Sequence, residues 1–223
     1  MTILVIRIQT GEELNIYSLF HSLKVEKQER IINAALKEFV QSGFEKASTN
    51  KIVKEANISK GSLFNYFHSK KDLYLYLIQH SVQIVEQVLE QIDVTETDLF
   101  KRIEKLGLKK LQIQRKFPQV FDFLTAIVRE ESAEVKEDIQ HIVNDIYKNG
   151  FEKLYQNIDY SKFRKDIEIQ KAIDILNWTM FGFADKAIRQ LDTFEDIGER
   201  YIKEWEGYAK ILKYSFYDCE DKR

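Results

Sequence analysis

Lys60, Gly61 and Ser62 are followed closely by Phe64, Asn65 and Tyr66, and then by Lys70 and Lys71. A lysine ammonium reaches a phosphate or the acceptor edge of guanine, an asparagine amide pairs with adenine through two hydrogen bonds, and an aromatic ring packs on a thymine methyl. Gly61 lets the backbone come close to a partner, and Ser62 adds a small hydroxyl. Tyr66, Lys70 and Lys71 are donors for phosphate, as is a capped helix N-terminus. This is the chemistry of holding and reading a duplex, not of making bonds. His141 and Asp145 stand one helical turn apart and could ligate a metal, but the four histidines are scattered and have no Cys or His-x-x-x-His partner, so no metal site is expected. The chain contains no phosphate loop, no His-Glu-x-x-His, no Gly-x-Ser-x-Gly and no paired Glu-x-x-His. Neither catalysis nor a cofactor is expected.

The elements that must position these residues are short and well punctuated. Ser48 or Thr49 caps a helix carrying Ile52, Val53 and Ala56. Asn57 sits where a tight turn needs positive φ, and asparagine adopts that conformation readily. A second short helix begins near Ser59-Lys60-Gly61 and buries Leu63 and Phe67, four residues apart, which leaves Phe64 and Asn65 pointing outward. Two short helices joined in this way make a helix-turn-helix, whose second helix enters the DNA major groove by its N-terminal end. Before it, Ile32, Ala35, Leu36, Phe39 and Val40 form a helical apolar stripe, and Gly43 is placed as a left-handed cap. After it, Ser69-Lys70-Lys71-Asp72 has the form of a capping box and opens a long helix through Leu73, Leu77, Ile84, Val88 and Ile92. Thr95 to Asp98 caps a helix reaching about Phe117, Pro118 suits the first turn of the next, and Ser132 is placed to cap a helix with Glu134 in its first turn. Two final helical stretches run over about 166–191 and 194–216. The pattern predicts an all-α protein of about nine helices.

Composition agrees. Eight glycines and one proline in 223 residues remove the turn chemistry of sandwiches and barrels. The net charge of −2 hides a division, because Leu23–His80 carries ten Lys/Arg against six Asp/Glu, whereas the residues after His80 are acidic overall. A basic front meets phosphate; the acidic rear does not. Lys109-Lys110 and Glu130-Glu131 are expected on solvated faces. A single cysteine, Cys219, points to a reducing compartment, and with no membrane-spanning stretch and no signal peptide in MTILVIRI the expected location is the cytoplasm. Residues 1–23 carry little pattern and are expected to be an extension outside the fold, disordered or loosely docked. A chain started from a rarer codon at Leu23 or Val25 would still begin just before the first strong helix.

The stretch from Arg30 to Ile78, above all ISKGSLFNYFHSKKDL, resembles the DNA-binding domain of the TetR family of bacterial transcription regulators. The resemblance runs over about residues 24–84 without a gap. It implies a three-helix head on a larger helical body, residues 85–223, that binds a ligand and dimerises. By position, Thr49 would touch the DNA backbone, Lys60, Gly61, Ser62, Phe64 and Asn65 would form the reading surface, and Tyr66 and Lys71 would hold phosphates. Phe64 stands where the family usually has tyrosine, so one hydroxyl contact is lost, and Asn57 stands where it usually has glycine. The resemblance further implies a homodimer through 166–191 and 194–216, with Ile173, Leu176, Trp178, Phe181, Phe183 and Ile188 on the first stretch. Ile197, Tyr201, Trp205, Tyr208, Leu212 and Phe216 lie on the second. Such a dimer would read a near-palindromic operator with recognition helices about 34–36 Å apart. An unidentified small molecule in the body would shift the long helix over about 70–92 and release DNA, the behaviour of a repressor. Phe100, Phe117, Phe121, Phe123, Trp178 and Phe181 are candidate pocket residues, against the plainer reading that aromatics at helical spacing are core. A ligand-independent architectural or division-associated DNA binder is the alternative.

Overall fold

A computed structural model describes residues 17–194 and 197–218, and among them every regular element is helical. The helices are α1 (Ser18–His21), α2 (Val25–Lys46), α3 (Thr49–Glu55), α4 (Lys60–Tyr66), α5 (Lys70–Glu90), α6 (Leu99–Lys116), α7 (Pro118–Val128), α8 (Lys136–Tyr155), α9 (Ile169–Arg189) and α10 (Glu199–Phe216), with a 3₁₀ turn at Tyr160–Lys162. Nine of these α-helices have seven residues or more, as the periodicity predicts, and α1 is a further single turn. The apolar run at Ile3–Ile6 and Cys219 lie outside the described residues.

Local signals set the boundaries. Gly43, at φ 67°, breaks the end of α2, and Asn57, at φ 52°, makes the turn between α3 and α4. The Asp98 carboxylate accepts the Lys101 amide at 3.1 Å and starts α6, and Pro118 is the first residue of α7. The Ser69 hydroxyl accepts the Asp72 amide at 3.0 Å at the start of α5. One expected start moves: Ser132 precedes a non-helical turn, its carbonyl accepts the Val135 and Lys136 amides, and α8 begins only at Lys136, with Glu137 and Asp138 in its first turn.

The chain divides into two compact units. The first takes residues up to Gln83 together with Gln119–Ile146, and the second takes Ile84–Pro118 and the chain from Tyr147 onward. The first unit is therefore wider than residues 24–84, since α7 and the start of α8 belong to it. So does α1: residues 17–22, expected outside the fold, form a helical turn whose Phe20 is fully buried. The core of this unit is aromatic at its centre, with the Tyr74 ring 4.8 Å from Phe39, 5.0 Å from Phe44 and 5.4 Å from Phe123. Glu130, expected on a solvated face, is half-buried. Its carboxylate accepts the Phe44 amide just past Gly43 at 2.8 Å and the Glu131 and Ser132 amides at 3.1 and 2.9 Å.

The second unit packs Leu99, Phe100, Ile103, Leu154, Ile158, Phe163, Leu176, Trp205, Phe216 and Tyr217 into one core. Arg102 is buried to 1% exposure and donates only to backbone carbonyls. It reaches Leu154 at 2.8 Å and Gln156 at 2.6 Å, at the C-terminal end of α8, and Val94 at 3.1 Å and Glu96 at 2.9 Å in the lead into α6. Helix C-termini leave carbonyls without intrahelical donors, and a guanidinium with five N–H groups satisfies several at once. Asp98 receives Lys162 at 3.3 Å and the Tyr217 hydroxyl at 3.4 Å.

Candidate nucleic-acid interface

α3 and α4 are seven residues each, too short to persist alone. Ile52 and Ala56 of the first and Leu63 of the second are buried, and the Asn57 turn between them is closed by the Ile58 amide donating to the Val53 carbonyl at 3.0 Å. Ser59 caps α4: its Oγ accepts the Ser62 amide at 3.0 Å and lies 2.8 Å from the Ser62 hydroxyl. α3 is placed from below by Glu38, a buried carboxylate of α2 that accepts the Ser48 amide at 3.0 Å and the Ser42 hydroxyl at 3.1 Å, with Lys51 at 3.5 Å. Burial alone would raise the Glu38 carboxyl, but the Ser48 amide, the Ser42 hydroxyl and the Lys51 charge outweigh it and hold it below its ordinary value.

With Leu63 and Phe67 inside, α4 shows Lys60, Gly61 and Asn65 to solvent, with Ser62, Phe64 and Tyr66 half-buried. Thr49, half-buried, opens α3. Lys46, Lys51 and Lys54 are exposed on the neighbouring turns. The fold has no internal need for glycine at 61. An added Cβ would meet nothing nearer than Ser59 Oγ at 3.9 Å, and glycine weakens a helix. Tyr66 has an unforeseen partner, since Lys27 of α2 donates to its hydroxyl at 3.3 Å and lies 5.7 Å from its ring centre.

Lys70 and Lys71 are engaged within the unit. Lys70 donates to the Glu45 carbonyl at 2.9 Å and lies 4.7 Å over the Phe44 ring. Lys71 donates to the Glu134 carbonyl at 2.7 Å and pairs with Asp138 at 3.1 Å. Both ammonium groups hold internal turns, an outcome that Ser-x-x-Asp spacing does not reveal because the partners of Lys71 lie more than sixty residues away.

The six aromatics proposed as a pocket are divided between the two units. Phe123 sits inside the first unit against Tyr74, and Phe121 is buried there too. Phe100 is core in the second unit, edge-on to Tyr217 at 5.1 Å. Phe117 caps the end of α6 beneath Lys116. Trp178 and Phe181 are exposed on α9, at 70% and 43%. Helical periodicity marks an apolar stripe without saying which neighbour covers it. For the same reason Leu176, Tyr201, Trp205 and Phe216, expected at a subunit interface, are buried within the chain itself. Ile175, Trp178 and Phe181 of α9 and Tyr208, Ile211 and Tyr214 of α10 remain exposed. Among the described residues no group of three or more His, Cys, Asp or Glu could hold a metal, and no helix is long and apolar enough to cross a membrane.

Residues 31–77 match the model of the bacterial regulatory proteins of the tetR family. An uncharacterized HTH-type transcriptional regulator, YuxN of Bacillus subtilis (strain 168), is 44% identical over 55 residues, 25% of this chain and 19% of that protein. An HTH-type transcriptional regulator of Staphylococcus aureus (strain USA300) is 39% identical over 67 residues, 30% of this chain and 36% of that protein. The matched stretch thus spans well under two thirds of either relative. The fold is similar over far more of the chain. A TetR family transcriptional regulator from Chloroflexus aurantiacus J-10-fl aligns with 90% of this chain and 98% of its own at a TM-score of 0.62 and 23% identity. The transcriptional regulator FadR from Bacillus subtilis, solved in complex with stearoyl-CoA, aligns with 82% of this chain and 96% of its own at a TM-score of 0.51 and 16% identity. The helix-turn-helix built by α3 and α4 thus lies within the stretch that matches the tetR family of bacterial regulatory proteins, and the all-α fold is similar to that of solved TetR family regulators.

Proposed function

We propose that this protein is a homodimeric transcriptional repressor that reads a near-palindromic operator and is released from it by a small molecule. The observation that carries the reading is the division of α4, with Leu63 and Phe67 inside and Lys60, Gly61 and Asn65 outside. On this reading Lys60, Gly61, Ser62, Phe64 and Asn65 face base edges, and Thr49 and Tyr66 face phosphates. The need for glycine at 61 then comes from the duplex, whose close approach leaves no room for a side chain. Lys71 reaches a phosphate only by giving up Asp138, so it tunes affinity and does not anchor the complex.

Dimerisation is supported by the aromatic and aliphatic face of α9 and α10, where Ile211 is 65% and Tyr214 56% exposed. An apolar patch of this kind on a soluble helical surface marks an interaction site. Gly182 and Gly207, on these two helices, have nothing within 4 Å of an added Cβ, which leaves space for another backbone. The effector reading is supported by the fold shared with FadR, solved with stearoyl-CoA; the expected effector is partly apolar.

The test is fluorescence anisotropy of the full chain with duplex from upstream of its own gene, beside a scrambled duplex and a salt series. Selective binding by a dimer, released by a small molecule, is the expected result. Equal, salt-sensitive binding to both duplexes would leave only phosphate contact at this sequence and favour an architectural role, and no binding at low salt would overturn the reading.

A further inference from the structure

α4 is fixed at its N-terminus by the Ser59 cap and along its inner face by Leu63. Its C-terminal end, Tyr66 and Phe67, needs a support of its own, because Phe67 already leaves the helix in an extended conformation. That support comes from the least patterned part of the chain. The Phe20 ring, fully buried, lies 4.9 Å from Phe67, 6.1 Å from Tyr66 and 5.2 Å from Tyr76 of α5. Tyr17 adds ring contacts at 5.7 Å to Phe67 and 4.9 Å to Tyr76. The segment is fastened at its far end as well: the Gln28 amide of α2 donates to the His21 carbonyl at 3.2 Å and the Leu23 carbonyl at 2.8 Å. One residue before Gln28, Lys27 holds the Tyr66 hydroxyl.

We propose that residues 17–22 are a brace that sets the pose of α4 on DNA, with Phe20 as the positioning residue. This rests on the reading of α4 as the helix that meets bases. A seven-residue helix wedged at one end by aromatic rings pivots when a ring is removed, because a close-packed interior transmits a lost side chain as a shift of its neighbours. A pivot of α4 moves Asn65 and Phe64 off base edges, while surface lysines follow a phosphate freely. Loss of the brace therefore lowers discrimination between sequences more than it lowers attraction to DNA.

The experiment uses the full chain and a duplex enriched from a random-sequence library by that chain, with a shuffled duplex of equal composition as reference. Phe20→Ala is expected to reduce the affinity ratio of the two duplexes about tenfold, the worth of one good base contact, with binding to the shuffled duplex unchanged, and Phe20→Leu to restore most of it. Measurements are made well below the unfolding midpoint, with helix content checked. Should Phe20→Ala unfold the first unit, Gln28→Ala, which loosens only the segment's fastening, is expected to reduce the ratio about threefold, a fraction of the same contact. An unchanged ratio in a folded variant, or an equal loss on both duplexes, overturns the brace. Failure of the library to yield any enriched duplex overturns the DNA-reading assignment instead.

Discussion

In the first unit the central polar group is an anion, Glu38, which takes the amide at the start of α3; in the second it is a cation, Arg102, which takes carbonyls at the end of α8 and before α6. Each matches the sign of the helix end it serves, since N-termini leave amide donors and C-termini leave carbonyl acceptors. The two differ in what they leave open. Glu38, Glu130, Lys70 and Lys71 hold turns from within, and the polar face of α4 stays clear. Arg102 and Asp98 lock helix ends around an apolar core, and the face left over on α9 and α10 is aromatic. On the proposed reading, a surface for nucleic acid and a surface for another protein thus follow from which groups each unit keeps for itself.

Removing Arg102 should break this contrast most severely. Arg102→Met leaves four buried or half-buried carbonyls without donors and should lower stability by about 3 kcal/mol or more in urea unfolding; a loss below about 1 kcal/mol would mean that water replaces the guanidinium. Trp178→Glu should leave helix content intact, because Trp178 is 70% exposed, yet weaken self-association by about 2 kcal/mol in sedimentation equilibrium. An unchanged association constant would move the interface elsewhere.

Two substitutions on α4 separate reading from approach. Asn65→Ala should relax preference at one operator base pair by about 1–3 kcal/mol without altering stability. Gly61→Ala should stabilise the fold by up to about 1 kcal/mol while weakening every duplex. If it left DNA binding intact, close backbone approach at 61 would be excluded.

Acid should soften both units. Glu38 and Asp98 both lie below their ordinary values of 4.5 and 3.8; burial opposes this in each, and amide and lysine partners prevail. A depressed carboxylate stabilises the fold above its unfolded value, and that stability drains as pH falls toward the folded one. Both units should therefore begin to weaken from about pH 4.5, the second because the Glu96 carboxylate, held by Lys105 and the Asp98 amide, is lowered from the same ordinary value as Glu38. Both tryptophans, Trp178 and Trp205, report the second unit, so Glu38→Gln should reduce the acid sensitivity seen by far-ultraviolet dichroism and leave that seen by tryptophan fluorescence unchanged. The smallest effect is expected at the Lys71–Asp138 pair. Asp138→Asn should raise DNA affinity by about 0.5 kcal/mol and steepen the salt dependence by about one ion as Lys71 becomes available to phosphate. Lys71→Ala should abolish both changes.

The helices, the caps at Ser69 and Asp98 and the positive-φ turns at Gly43 and Asn57 were legible because each depends on residues within a few positions, where 3.6-residue periodicity and turn chemistry act, whereas Ser48 makes no side-chain cap. The amphipathic split of α4 was legible for the same reason, from Leu63 and Phe67 alone. Tertiary structure alone decided that Glu130 takes the Phe44 amide 86 residues away, just past Gly43, that Lys71 faces Asp138, and that Trp205 is core while Trp178 is surface. It also decided that Phe20, in a stretch without pattern, packs against Phe67 at the end of α4. An apolar stripe or a charged side chain states what it needs as a neighbour; which neighbour arrives depends on contacts between residues far apart in the chain, and those form only when the whole topology closes.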